Sequence, residues 1–154
     1  MAAFAITLHL LAAIIWVGGM FFAYMAARPV LSELDTLLRA KLWAGIFRRF
    51  FPWVWGAIAV LLASGIFMVF NSFEGFAQAP AFVNIMMGLG ILMMALFAHI
   101  NFAPYKRLKQ AVKANDQGIA AKSMRQIRIM MAVNLCLGLI VVIVAMMGMY
   151  LSSD

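Results

Sequence analysis

Apolar and charged positions divide the chain into four long apolar runs, about residues 3–27, 52–71, 81–103 and 127–151, each bounded by charge, proline or a polar turn. At about 1.5 Å of rise per residue, each run is long enough to cross a hydrocarbon layer of about 30 Å as a helix. Within the first run, helical spacing places Ala12, Ala13, Trp16, Gly19 and Ala23 on the face that carries His9, a stripe of small residues with one imidazole and one indole. Between the first two runs, Ser32 and Asp35 have the spacing of a capping box. Leu34, Leu37, Leu38, Leu42 and Ile46 then fall opposite Arg39, which predicts a short amphipathic helix lying along the interface. Pro52 stands where a second span would open, with Trp53 and Trp55 at headgroup depth. After the third run a helix is expected to continue from Tyr105 towards Asn115. Asp116 and Gly118 mark a turn, and residues 119–128 lead helically into the fourth run. The pattern therefore predicts an all-α integral membrane protein: a four-transmembrane-helix bundle with a short amphipathic interfacial helix between spans one and two, forming one transmembrane domain over residues 1–154.

Composition agrees with that reading and charge adds an orientation. The chain is 67% hydrophobic, and its mean hydropathy of +1.02 lies far outside the range of a soluble globule. The formal net charge is +7, and the twelve basic residues behind it are confined to two segments. Arg28, Arg39, Lys41, Arg48 and Arg49 lie between spans one and two, and the other seven of the twelve basic residues lie between Lys106 and Arg128. By the positive-inside rule both basic segments face the cytoplasm of a bacterial inner membrane and both termini face the periplasm. The charge is expected to meet anionic lipid headgroups of the bilayer, not nucleic acid. The first run has no basic residue before it and is too long for a cleaved signal, so it is expected to be retained.

Two histidines, five acidic residues and one cysteine leave little for hydrolytic chemistry, and no phosphate-binding glycine loop, Cys-x-x-Cys pair or His-Glu-x-x-His is present. Cys136, without a second thiol, reads as packing. An imidazole inside a span is by default a functional candidate, because no water satisfies its polar atoms. His9 falls about six residues into span one and His99 about eighteen into span three, roughly 18 Å apart along the membrane normal, so the two are not expected to share one ion or one haem. By depth alone, an outer station would gather His9, Asn71, Asn84, Met86, Met87, Met146, Met147 and Met149. An inner station would gather His99, Asn101, Asn134, Arg48 and Arg49. Fourteen methionines and imidazole form a ligand set suited to cuprous copper. A b-type haem is the alternative, with His9 or His99 as axial ligand, Trp16 and the small-residue stripe making room, and Arg28, Arg48 or Arg49 reaching propionates at the inner side only. As an enzyme the chain would be a haem-dependent membrane oxidoreductase. A non-catalytic subunit of a homo-oligomer or larger membrane complex is the third reading.

The series His9, Trp16, Gly18 and Gly19 resembles the copper resistance D (CopD) family of bacterial inner-membrane proteins. The likeness runs on through Arg28-Pro29, Arg48, Arg49 and Phe50, then Met86, Met87, Gly88 and Gly90, then Phe102, Pro104 and Tyr105, and Asn134 with Gly138. The resemblance implies movement of copper across the inner membrane towards the cytoplasm. The sequence is also similar, more distantly, to the HemJ-type membrane protoporphyrinogen oxidases, a four-span group with His-x6-Trp in its first span and a b-type haem. Where that group is expected to carry a lysine early in span three, this chain has Asn84.

Overall fold

The computed structural model describes residues 2–151. Among them there is no strand, and four helices are long and apolar enough to cross a membrane. Span one, Ala3–Ser32, is a continuous helical rod, α1. Two of its turns, Ile14–Gly18 and Ala23–Ala27, are wound as π-helix. The second of these wide turns lies just before Pro29, whose missing N–H would otherwise break the ladder, and the helix runs on to Ser32 instead of ending at Arg28.

Ser32 does not open the next helix. Its hydroxyl donates to the Pro29 carbonyl at 2.6 Å, and Asp35 is the N-cap, with extended backbone and a carboxylate that accepts from the Leu38 N–H at 3.3 Å. Asp caps as well as Ser, and here the chain turns only after Ser32 has closed the preceding helix. Helix α2 then runs unbroken over Thr36–Phe73. The amphipathic segment is therefore the start of span two, and Pro52 lies inside the helix. Nothing between Lys41 and Phe51 stops a helix, and a proline in a membrane helix is tolerated because neighbouring groups re-satisfy the freed carbonyl.

The connection after α2 opens with Glu74 in the left-handed region and Gly75 at φ 127°, a conformation that favours glycine. Helix α3 covers Ala81–Phe102. A sharp break at Ala103 (φ −110°, ψ −82°) starts α4, Pro104–Ala114, with proline in its first turn. Asn115, left-handed, ends α4. The Asp116 carboxylate then accepts from the Ile119 N–H at 2.9 Å, opening α5, Gln117–Leu151.

The bundle is two antiparallel helix pairs, α1 on α2 and α3 on α5. They are joined mainly at the basic end, where α4 packs against α5, α3 and α2. An aromatic cluster fixes this junction. The Phe51 ring lies 5.1 Å from Phe97 and 4.9 Å from Tyr105, Phe47 stacks on Phe51 at 5.0 Å, and Trp16 of α1 meets Phe97 edge-on at 6.1 Å. Close backbone approach is set by glycine at Gly138, where an added Cβ would lie 2.9 Å from Val17 and 3.2 Å from Met93. Replacing Gly138 by Leu should therefore lower the stability of the detergent-purified protein by about 1–3 kcal/mol, the usual cost of overpacking. Gly88→Ala, whose Cβ meets nothing within 4 Å, should leave thermal unfolding unchanged; equal effects of the two would refute the packing.

Candidate functional site

His9 is half-buried on the face of α1 that lies against α2. Its Nδ1 is 2.8 Å from the hydroxyl oxygen of Ser64, and Gly65 leaves space for the ring. Ser64 has one hydroxyl proton, and the Val60 carbonyl at 2.6 Å takes it. With that proton assigned to Val60, the same oxygen accepts from Nδ1–H of His9, and in that tautomer the lone pair is on Nε2. A ring anchored through Nδ1 is the arrangement found in metal-ligating histidines, and the Leu61 carbonyl is a further hydrogen-bond partner of this one. Stability alone is a weak reason for this pair, because hydrogen bonds between membrane helices average about 0.6 kcal/mol.

A second polar point lies at the centre of the bundle. Trp16 and Asn134 are 2% and 1% exposed, and both line a small cavity of about 10 Å³ together with Met20 and Met131. The Asn134 amide donates to the Met20 sulfur at 3.7 Å. Its carbonyl oxygen and the Trp16 indole N–H have no hydrogen-bond partner. The wall of the cavity is apolar, and the two unsatisfied groups do not open onto it. Two thioethers and an amide oxygen beside it are uncharged donors, two of them soft.

The other sequence-derived candidates are dispersed. Met86 and Met87 are half-buried on α3, and Met146 and Met147 exposed on α5. All four belong to the pair α3–α5, whereas His9 is packed in the pair α1–α2. The exposed Asn84 donates to the Phe76 carbonyl at 3.3 Å, bracing the connection after α2. His99 is exposed at the last turn of α3, and Arg48 and Arg49 are exposed on α2, while Asn134 is in the core. Among the described residues, no group of three or more His, Cys, Asp or Glu stands together. Sequence reasoning missed Ser64, Met20 and Met131. A serine within an apolar run was the available signal for the first, and the i, i+4 spacing of Met20 from Trp16 for the second.

Four apolar helices with polar side chains buried between them define a multi-pass membrane protein, which implies a lipid bilayer around it. The sequence matches the model of the family described as copper resistance protein D over residues 44–147, more than half of its length. The chain belongs to the CopD family, which suggests a copper-resistance-related protein of the inner membrane. The match includes Asn134 and His99 but begins after His9 and Trp16. No curated protein and no solved structure gives a match.

Replacing Asn134 by Leu, close to it in volume, removes the unsatisfied carbonyl and should keep stability within about 1.5 kcal/mol of the original or raise it. A loss well beyond that on thermal or denaturant unfolding would make Asn134 a structural residue.

Proposed function

We propose that this protein handles cuprous copper inside the bilayer, taking the ion at His9 and passing it by thioether and amide donors towards the basic end. The observation that carries the reading is the His9–Ser64 pair, an imidazole held through Nδ1 by a serine hydroxyl of the neighbouring span. Membership of the CopD family supplies the metal. Imidazole and thioether are neutral ligands that suit a soft monovalent ion and bind it weakly enough for release. Met20, Met131 and Asn134 are the next donors at the centre of the bundle. Met86, Met87, Met146 and Met147 would supply thioethers on the other helix pair, and His99, in the last turn of α3, would be the donor at the basic end. We infer that the basic end faces the cytoplasm and both termini the periplasm, on the segregation of all twelve basic residues.

Titration of the purified protein with cuprous ion against a competing chelator tests the first step. His9→Ala should abolish the tightest site with little change in unfolding. Ser64→Ala should weaken that site about tenfold or more by freeing the ring, and Ser64→Thr, which keeps a hydroxyl, should restore it. Unchanged affinity in His9→Ala would end the copper reading at this residue. A Soret band that vanishes in His9→Ala would replace copper by haem b.

Orientation is tested by thiol labelling of intact cells in a Cys136→Ala background. A cysteine at Gln78, exposed in the connection after α2, should react with an impermeant reagent, and one at Asn115 should not. The reverse pattern overturns the topology.

A further inference from the structure

At the basic end a cavity of about 430 Å³ opens between the last turns of α1, the start of α2 and the start of α5. Arg28, Arg39, Arg125 and Arg128 all line it. Arg125 and Arg128 stand three apart on α5 and so share a face. The Arg28 guanidinium lies over the Tyr24 ring, 4.9 Å from its centre, which fixes it at the wall. Arg39 gives one N–H to the Ser32 carbonyl at 3.3 Å and has the rest of its fork unused. No acidic residue lines the cavity. Asp35 and Asp116, the carboxylates closest in sequence to Arg39 and Arg125 that the structure engages, act as helix caps. Four cations turned on one space without a carboxylate repel one another unless an anion lies among them. Guanidinium forks match phosphate oxygens in pairs.

The remaining wall identifies what carries the phosphate. Phe47, Ile127 and Met131, all buried in the bundle core, form the apolar inner side of the cavity, and Trp43 stands beside it. The volume is that of a small-molecule site, well beyond a bare phosphate. A rim of arginine at interfacial depth over an apolar wall fits an amphiphile. We propose that this cavity binds the phosphate headgroup of an anionic membrane lipid, with the glycerol and upper acyl chain against Phe47, Ile127 and Met131. This is independent of the copper reading, since it rests on the four arginines, none of which is a copper donor.

The test measures binding to the detergent-purified full chain by native mass spectrometry and melting, with phosphatidylglycerol and cardiolipin against phosphatidylcholine, and with inorganic phosphate alone. An anionic lipid should stay bound in stoichiometric amount and raise the melting temperature, whereas phosphatidylcholine and inorganic phosphate should do neither. The double variant Arg125→Gln, Arg128→Gln should weaken binding roughly thirtyfold, taking about fivefold for each arginine near an anionic surface. Ala121→Trp, which fills the cavity without removing a charge, should weaken it as well. Lys106→Gln with Lys122→Gln removes equal charge away from the cavity and should change nothing. Equal loss in the lysine control would reduce the effect to general surface charge and overturn the proposal. So would inorganic phosphate binding as tightly as lipid, which would assign the arginines to a soluble phosphate compound.

Discussion

The contact of the Phe51 ring with Phe97 and Tyr105 is the point at which α2, α3 and α4 are held together, and through Phe97 it takes in Trp16 of α1. Lipid chains are as apolar as the helix surfaces, so no hydrophobic gain drives these helices together; van der Waals fit and specific polar contacts do. Edge-to-face aromatic pairs contribute about 0.5–1.5 kcal/mol each beyond area burial, and this junction has several of them. The other end of the bundle has far less. There α1 meets α2 through His9 and Ser64, and α3 meets α5 where Phe82 packs on Gly148. The aromatic junction thus braces the basic half, and His9 stands in the other half.

The four spans were legible because a bilayer forces the sequence to declare them: an uncharged apolar run of about twenty residues or more has little use outside a membrane. Boundaries were less legible. Asp35, not Ser32, caps α2, because two adequate capping residues lie three apart and the choice falls on where the preceding helix stops. Pro52 reads as a helix start in water and stands mid-helix here because the membrane tolerates it. His9, Trp16 and Asn134 were visible as polar groups at lipid depth. Their partners were not, since Ser64 lies 55 positions from His9 and Met20 lies 114 from Asn134. Depth along the normal ranks residues by height but carries no information about which helix faces which. That is why Met86, Met87, Met146 and Met147 share a height with His9 and yet lie on the other helix pair.

Electrostatics ties the two ends of the molecule together. A cuprous ion held by imidazole, thioether and amide keeps its full positive charge, since none of these ligands neutralises it. In a medium of low dielectric that charge is costly, and the cost is lowest where polar groups are already unsatisfied, as at the Asn134 carbonyl. An ion moving towards the basic end, as proposed, would approach Arg28, Arg39, Arg125 and Arg128 around one cavity, a field that opposes it. An anionic headgroup seated among those arginines would cancel part of that field and lower the barrier for a cation without altering any of its ligands. Met131 lines both the central cavity and the arginine-rimmed one, so the screened region begins one side chain away from the buried donors.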